Sequence, residues 1–369
     1  MHLNRLTLHH FRNLHGLEIE PSPGLNLVAG QNGHGKSSLL ESIHFLCLAH
    51  SPRARHDKDM AAWNQVEDGG FVIRGEGIVG ENPHIQSVEY REEGVRVKVT
   101  GIGHESRRLA DLLGHFLLVA FSPEDLDILR GGPRERRRFL DILLCQENPI
   151  NVDLLRKYRQ ALRQRNAALR LRLRADDEDA LLTTYEEALA GAGAEIVLRR
   201  QKLVEKLAPT ARKFHLAVGE TEHLDLVISP RPEASGTVES MRENLRKKLR
   251  EKRAEDRENG LTSVGPHRDD LLAFLDGKSV RDFASQGQKR SAALALKLAS
   301  AHLLEEASGL PPILLLDDVF AELDRGRRER FGALIMGKGQ VFIATPRSED
   351  LPFPAEKIFS LDHGRIAQG

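Results

Sequence analysis

The two ends of this 369-residue chain carry motifs of a single kind of nucleotide site, and this constrains the fold more than any other feature. The first motif is a glycine-rich loop that fits the pattern G-x-x-x-x-G-K-[ST]. It reads Gly30-Gln31-Asn32-Gly33-His34-Gly35-Lys36-Ser37. The second is an aliphatic run that ends in two acids. It reads Ile313-Leu314-Leu315-Leu316-Asp317-Asp318. Because both motifs serve phosphate chemistry, the sequence predicts an ATPase assembled from both ends of the chain.

The glycine-rich loop has the flanking sequence that its chemistry requires. Residues 25–29 predict a short buried strand before the loop, and residues 38–46 predict a helix after it. Glycines allow the backbone N–H groups to turn inward toward phosphates, and the helix N-terminus adds its positive dipole end. We expect Lys36 to reach the β- and γ-phosphates and Ser37 to bind Mg²⁺. A chance match by an ordinary turn is the alternative, and the flanking strand and helix make it improbable.

The acidic run predicts a buried parallel strand with a carboxylate at its C-terminal edge. We expect Asp317 to hold Mg²⁺, directly or through water, and Asp318 to orient or deprotonate the attacking water. For the run taken alone, two acids that merely begin a loop are an equal alternative. Its pairing with the glycine-rich loop favours the metal-binding interpretation.

A second anion-binding element precedes the acidic strand. The segment Ser285-Gln286-Gly287-Gln288 is a small-residue loop that opens a helix. A helix N-terminus attracts phosphate, although a plain helix cap explains the same tetrapeptide. Its position shortly before the acidic strand favours a phosphate-binding role.

Together these motifs resemble the ATP-binding-cassette (ABC) ATPases, in the group that contains RecF and the SMC proteins. Further segments resemble the RecF family, and with them the resemblance extends from residue 3 to about residue 345. They are Phe11-Arg12-Asn13-Leu14, Phe121-Ser122-Pro123-Glu124-Asp125-Leu126, Arg136-Arg137-Arg138-Phe139-Leu140-Asp141, Gly265-Pro266-His267-Arg268-Asp269-Asp270-Leu271 and Glu322-Leu323-Asp324. The chain departs from the family pattern with Ser37-Ser38 in place of Thr-Asn, and with Ala321 in place of a serine.

The resemblance implies a set of site residues with ATP and Mg²⁺ as cofactors. The residues expected to bind the nucleotide are Arg12, Gly30, Gln31, Asn32, Gly33, His34, Gly35, Lys36, Ser37, Ser38, Ser285, Gly287 and Gln288. Ser37 and Asp317 would hold the metal, and Lys36, Asp317 and Asp318 would be catalytic. In the family, the Ser285 loop contacts ATP bound to the other subunit, which implies an ATP-dependent homodimer.

The function implied by the resemblance is an ATP-dependent, DNA-binding recombination mediator. It would bind duplex DNA near single-strand gaps, hydrolyse ATP weakly with stimulation by DNA, and promote RecA loading with RecO and RecR. One alternative is an ATP-bound structural clamp or SMC-like scaffold with negligible turnover. A transporter subunit is less favoured, because Thr345 stands where transporter cassettes place a switch histidine.

Charge segregation supports a nucleic-acid partner, although 54 basic and 54 acidic residues give a net charge of zero. Residues 154–175 contain no acid. They contain Arg156, Lys157, Arg159, Arg163, Arg165, Arg170, Arg172 and Arg174. A helix of this kind can follow a duplex backbone, whereas an aromatic content of 5% argues against stacking on single strands. The alternative is a helix whose arginines pair with acids of a neighbour, such as Glu186-Glu187.

The sequence therefore predicts an α/β protein with an ABC-type P-loop ATPase head, an antiparallel β meander and an inserted helical arm. Residues 1–125 would form the ATPase lobe with the meander, 126–259 the arm, and 260–369 the completion of the ATPase lobe. The lack of a long apolar stretch predicts a cytoplasmic protein that does not enter a membrane. We expect His34 to be an exposed residue at the loop tip, outside any metal cluster.

Overall fold

The computed structural model describes most of the chain and divides it into two compact units. The described residues are 1–54, 56–62, 70–91, 94–100, 105–171, 175–233, 236–346, 351 and 353–367, and for 175–178 only the backbone is described. The first unit comprises residues 1–125, 213–221 and 294–369. The second comprises residues 126–212 and 222–293.

The strands and helices are numbered in chain order. The strands are β1 (His2–Phe11), β2 (Leu14–Ile19), β3 (Leu25–Ala29), β4 (Phe71–Val79), β5 (Asn82–Arg91), β6 (Gly94–Val99), β7 (Leu118–Phe121), β8 (Leu224–Ser229), β9 (Asp270–Leu275), β10 (Lys278–Ser279), β11 (Ile313–Asp317), β12 (Val341–Thr345), β13 (Lys357–Asp362) and β14 (Arg365–Ile366). The α-helices are α1 (Lys36–Leu48), α2 (Leu126–Arg130), α3 (Pro133–Glu147), α4 (Ile150–Arg170), α5 (Ala175–Ala217), α6 (Val238–Glu251), α7 (Arg253–Asn259), α8 (Val280–Phe283), α9 (Gln286–Ser308) and α10 (Arg325–Ile335). Short 3₁₀ turns span Asp57–Met60, Leu109–Leu112, Pro123–Asp125, Pro266–Arg268 and Val319–Glu322.

A six-stranded sheet in the first unit joins the two ends of the chain, as the sequence predicts. Its order is β14-β13-β3-β12-β11-β7, and every pair except β14–β13 is parallel. The strands β11 and β12 are buried at every position, which explains their continuous aliphatic sequences. Because β3 and β11 share this sheet, their C-terminal ends lie at one edge.

A five-stranded antiparallel sheet completes the first unit. Its order is β2-β1-β4-β5-β6, and the predicted meander forms its last three strands. The sequence alternates along these strands, so that apolar side chains such as Ile73, Val88 and Val97 are buried on one face. The predicted fold class, an ABC-type head with an antiparallel meander and a helical insertion, is confirmed.

The second unit combines helices with a small antiparallel sheet of order β10-β9-β8. This unit begins at Leu126, where the arm was predicted to begin, but it extends to Ala293 and so includes residues 260–293. The physical reason is strand pairing, because β9 pairs along its whole length with β8, which lies inside the predicted arm. Residues 213–221 belong to the first unit.

Helix α4 carries the basic run, and several of its arginines have acidic partners in the second unit. Arg165 is fully buried, and its guanidinium contacts Glu186 at 3.1 Å and Asp256 at 2.7 Å. Arg159 contacts Asp141, and Arg156 contacts Asp153. The pairing alternative therefore describes part of this helix, whereas Lys157 and Arg163 are exposed. Arg172 and Arg174 lie outside the described residues.

The two cysteines, Cys47 and Cys145, are buried free thiols. Burial raises the pKa of the Cys145 thiol to about 12, so this thiol stays protonated and unreactive at neutral pH. Among the helices of the described chain, none has both the length and the apolar character needed to cross a bilayer.

Candidate nucleotide site

The glycine-rich loop connects β3 to α1 through backbone conformations that favour glycine. Gly30, Gly33 and Gly35 have φ angles of 152°, 84° and 105°. At Gly30, an added Cβ would lie 2.4 Å from the carbonyl oxygen of Leu361, so no side chain fits there without movement of the backbone. The loop is therefore held close to the end of β13 and delivers the first turn of α1 to the sheet edge.

Lys36 lies inside the curve of this loop and is only 4% exposed. Its Nζ donates hydrogen bonds to the carbonyl oxygens of Gly30 at 2.7 Å and Gln31 at 3.1 Å. It also lies 3.5 Å from the Asn32 side-chain oxygen. A buried ammonium held by loop carbonyls is a strong attractor for an anion, which is the role predicted for this lysine.

Ser37 and Asp317 are brought together from opposite ends of the sequence. The Ser37 Oγ donates a hydrogen bond of 2.9 Å to Oδ1 of Asp317, which ends β11. Burial raises the pKa of Asp317; Arg53 and the Ser37 hydrogen bond oppose this, and the nearby Asp318 and Glu124 carboxylates reinforce it. The two predicted Mg²⁺ ligands are thus within hydrogen-bonding distance of each other, and Asp317 also contacts the Arg53 guanidinium.

Arg53 is a site residue that the sequence analysis missed. Its Nη2 lies 2.5 Å from Oδ2 of Asp317, and the residue lines the same cavity as Lys36 and Ser37. It lies in a loop after α1 without a periodic or motif signal. Only its proximity in the folded chain identifies it.

Asp318 has a strained environment. Its φ of 54° is left-handed, and its N–H donates to the Ala344 carbonyl at 3.1 Å. Its Oδ1 is buried and accepts no hydrogen bond from the described residues. Strain and an unsatisfied carboxylate oxygen at a sheet edge are typical of functional sites, where structure is maintained for chemistry rather than stability.

Two side chains that follow β1 brace the loop and the start of α1. Asn13 donates from Nδ2 to the Gly33 carbonyl at 3.0 Å and accepts a 2.8 Å hydrogen bond from Ser38 Oγ. The Arg12 guanidinium donates to both carboxylate oxygens of Glu41, at 3.1 and 2.7 Å. Arg12 and Ser38 were both predicted to bind the nucleotide, and both side chains also hold the local structure.

These residues surround a cavity of about 570 Å³, a size suited to a small-molecule ligand. Its lining comprises Arg12, Asn13, His15, Asn32, Gly33, Gly35, Lys36, Ser37, Ser38, Arg53 and Asp318. The cavity therefore gathers most of the predicted residues of the first unit. Gly30, Gln31, His34 and Asp317 are not among these lining residues, although Asp317 accepts the hydrogen bond from Ser37.

The second predicted phosphate-binding element lies in the second unit. The Ser285 N–H donates to the Gln288 side-chain oxygen at 2.8 Å, and the Gln288 N–H donates to Ser285 Oγ at 3.2 Å. This reciprocal pair is a capping box at the start of α9. Gln288 Nε2 also donates to Glu222 at 2.6 Å. The segment therefore forms the helix cap that was the alternative interpretation of its sequence. The contact of Ser285 and Gly287 with a second subunit stays a prediction.

The two acids after β7 have different environments. Asp125 contacts Lys297 Nζ at 2.7 Å and accepts a hydrogen bond from the Ser122 N–H. Burial raises the pKa of Asp125. Glu124 is exposed, and its charge adds to the effect of burial that raises the pKa of Asp317.

His34 differs from the sequence expectation. Its side chain is only 16% exposed, and its Nδ1 lies 3.0 Å from Oδ1 of Asp362. The expectation of an exposed tip was wrong because the turn between β13 and β14 packs against the loop. No local sequence pattern places Asp362 beside His34.

The fold and the site together define a class of protein. A P-loop beside an acidic parallel strand, with an antiparallel sheet in the same unit and a long helical insertion, is the architecture of an ABC-type ATPase head. The family model described as the RecF/RecN/SMC N-terminal domain matches residues 2–363.

Individual relatives identify the family within this class of ATPase. The chain is 37% identical to the DNA replication and repair protein RecF of Symbiobacterium thermophilum, over 99% of this chain and 98% of that protein. It is 36% identical to the same-named protein of Halalkalibacterium halodurans, over 94% of this chain and 92% of that protein. The chain belongs to the RecF family.

Solved structures agree with this assignment. The structure of the recombination mediator protein RecF-ATP in the RecFOR pathway superposes with a TM-score of 0.89 at 32% identity, and covers 98% of this chain and 96% of that chain. An Smc head bound to a winged-helix domain of ScpA is similar in fold alone, with a TM-score of 0.56 at 15% identity over 99% of this chain and 96% of that chain.

Proposed function

We propose that this protein is an ATP-switched, DNA-binding recombination mediator of the cytoplasm. Two copies would close on ATP and bind duplex DNA near a single-strand gap, and together with RecO and RecR they would promote RecA loading in DNA repair and replication restart. The observation that carries the proposal is the Ser37–Asp317 hydrogen bond beside the buried Lys36, in a chain of the RecF family.

In the proposal, the nucleotide that binds this cavity is ATP. Lys36 supplies the positive charge for the phosphates, and the N-terminus of α1 supplies backbone N–H groups. The RecF-ATP structure, which is similar over nearly the whole chain, supports the same ligand. Asn32, Gly33 and Gly35 line the cavity, so the loop backbone itself would contact the phosphates.

Mg²⁺ is the metal that the predicted ligands fit. The Ser37 hydroxyl and the Asp317 carboxylate are hard oxygen ligands 2.9 Å apart, and Mg²⁺ prefers such oxygens together with substrate phosphates. Burial raises the pKa of Asp317, and the nearby Asp318 and Glu124 carboxylates add to this effect. A divalent cation would stabilise the ionised form of Asp317. When bound, the ion would neutralise charge that develops on the phosphates.

Hydrolysis in the proposal is slow and stimulated by DNA. Asp318 lines the cavity and has a buried carboxylate oxygen that accepts no hydrogen bond among the described residues, so it is placed to accept a proton or a hydrogen bond from the attacking water. A steady-state hydrolysis assay with and without gapped duplex DNA tests this directly. Undetectable turnover in both cases would favour the structural clamp instead.

Dimerisation would depend on Ser285 and the start of α9. The capping box satisfies the N–H groups of Ser285 and Gln288, and the remaining N–H groups of the first turn have the dipole that favours a phosphate of the partner's ATP. Replacing Ser285 with a bulky cation should prevent this approach without altering the cavity of the first unit.

The decisive experiment is analytical ultracentrifugation of the wild type, Ser285→Arg and a control, Ser279→Arg. Ser279 stands at the start of another helix of the second unit, so the control introduces the same side chain at a comparable position. With Mg²⁺ and ATP, the wild type and control should become dimers that co-sediment with gapped DNA, whereas Ser285→Arg stays monomeric but binds ATP. An ATP-driven dimer of Ser285→Arg would refute the contact across subunits.

A further inference from the structure

Three potential metal ligands meet where the glycine-rich loop touches the turn between β13 and β14. His34 Nδ1 lies 3.0 Å from Asp362 Oδ1, and His363 Nδ1 lies 2.8 Å from the same oxygen. The two imidazole rings have centroids 4.3 Å apart. One ligand atom of each residue lies within 4.8 Å of the others. We infer that His34, Asp362 and His363 form a binding site for a transition-metal ion such as Zn²⁺ or Co²⁺.

The backbone holds the two halves of this cluster together independently of the side chains. Strand β13 pairs with β3 up to Ser360 opposite Ala29, and the Gly364 N–H donates to the His34 carbonyl at 3.1 Å. At Gly364, which has a φ of 79°, an added Cβ would lie 2.0 Å from the Asn13 carbonyl oxygen. Only glycine fits this close approach to Asn13, whose side chain in turn donates to the Gly33 carbonyl of the loop. Ligands carried by such anchored elements are already close to one another before an ion binds.

The ligand set selects the class of ion. Two imidazoles and one carboxylate suit Zn²⁺, Co²⁺ or Ni²⁺, whereas Mg²⁺ prefers oxygen ligands alone. Tetrahedral Zn²⁺ with bonds of roughly 2.0–2.1 Å places neighbouring ligand atoms about 3.3 Å apart. The two contacts to Asp362 Oδ1 differ from this by only a few tenths of an ångström. Water would complete the coordination.

Two histidines contact one carboxylate oxygen in this cluster, where one would complete a hydrogen bond. A single histidine would satisfy Asp362, yet both imidazoles direct Nδ1 at one carboxylate oxygen. The His363 side chain is 83% exposed, and its Nδ1 nevertheless lies 2.8 Å from Asp362 Oδ1. Metal binding here does not depend on the proposed function, since none of the three side chains lines the nucleotide cavity.

Titration of the tag-free, metal-stripped chain with Co²⁺ tests the site, read by the visible absorption of tetrahedral Co²⁺ and by competition with Zn²⁺. The variants are His34→Gln, His363→Gln and a control, His223→Gln, which replaces an exposed histidine of the second unit. Excess Mg²⁺ is present throughout. Neither cysteine competes, because both thiols are buried.

We expect one Co²⁺ per chain in the wild type and control, with displacement by Zn²⁺. Each site variant should weaken the affinity by at least about tenfold, as loss of even an indirect ligand contact does. Zn²⁺ should also raise the thermal midpoint of the wild type but not of His363→Gln, whose exposed position leaves folding intact. Absence of stoichiometric Co²⁺ binding, or wild-type affinity in His34→Gln and in His363→Gln, would overturn the inference and leave a hydrogen-bonded cluster only.

Discussion

Replacement of Arg165 by methionine should separate the structural arginines of α4 from those that we propose contact DNA. The Arg165 side chain is fully buried, and its guanidinium donates to Glu186, Asp256 and Thr262 and to the Leu249 carbonyl. Methionine fills much of the same volume but removes the charge. Glu186 retains Arg253, whereas Asp256 would keep only the N–H of Ser263 among its described partners.

The expected loss follows from the burial of these carboxylates. Glu186 and Asp256 are at most 1% exposed at the side chain, so removal of Arg165 leaves a charge that water cannot reach. Breaking a buried ion pair in this way typically costs about 3–5 kcal/mol. Arg163→Met, on an exposed position of the same helix, should change the free energy of unfolding by less than about 0.5 kcal/mol.

Urea denaturation followed by far-UV circular dichroism measures both variants, with the double variant Arg165→Met/Asp256→Asn as a test of the cause. If the uncompensated Asp256 charge is responsible, the double variant should regain about 1–3 kcal/mol relative to Arg165→Met. The affinity for duplex DNA should show the reverse order of effects. It should fall for Arg163→Met and stay unchanged for folded Arg165→Met. An Arg165→Met protein with wild-type stability and weakened DNA binding would refute this reasoning.

Three further predictions concern other parts of the chain. Asp318→Asn should raise the free energy of unfolding by about 1 kcal/mol, because it removes the charge beside a buried oxygen that accepts no hydrogen bond from the described residues. It should slow hydrolysis by at least about 10²-fold while ATP binding persists, and hydrolysis at the wild-type rate would contradict the assignment. Gly30→Ala should lower the free energy of unfolding by about 1–3 kcal/mol, because its added Cβ would meet the Leu361 carbonyl. Gly33→Ala should have a smaller effect, because its added Cβ meets nothing within 4 Å. Equal thermal midpoints of the two variants would refute the role of the Leu361 contact. Burial lowers the pKa of His267 to about 4. As the pH falls from about 6.5 to about 4, the free energy of unfolding should therefore decrease by about 3 kcal/mol more in the wild type than in His267→Asn. Parallel curves of unfolding free energy against pH would contradict this.

The sign of the pH prediction follows from the neutral state of the folded imidazole. Because the pKa of His267 is lower in the folded protein than in the unfolded chain, its contribution is complete above about pH 6.5 and is lost as the pH falls toward 4. Burial raises the pKa of the neighbouring Asp269 to about 6. The contribution of Asp269 to stability therefore increases as the pH falls, opposite to that of His267. Asp269 is present in both proteins, so its contribution largely cancels in the comparison.

The sequence predicts the central sheet well because its strands carry strong local signals. Continuous aliphatic runs identify β11 and β12, and the glycine-rich pattern identifies the connection from β3 to α1. The meander is also predictable from the sequence, because buried and exposed positions alternate along its strands and turn residues separate the strands. The end of the second unit was less predictable, since the pairing of β9 with β8 joins segments more than forty residues apart in sequence.

The site residues that the sequence could not supply are those whose role depends on long-range contacts. Arg53 has no motif, and only the fold brings it to Asp317. His34 lies in a permissive loop position, and Asp362 and His363 lie near the other end of the chain. Arg165 and Arg163 are equivalent in charge and neighbourhood along the sequence, yet one is buried and the other exposed because a helix turns its successive side chains in different directions.

The position of β3 between β12 and β13 has a consequence for synthesis on the ribosome. The strand that leads into the phosphate-binding loop emerges early, but both of its neighbours in the sheet are translated late. Until then its apolar edges lack their partners, a situation that slows folding and invites association with chaperones. The intervening second unit has its own sheet and can fold first. A nascent chain that stops before β12 would therefore lack both strands that flank β3 and position the phosphate-binding loop.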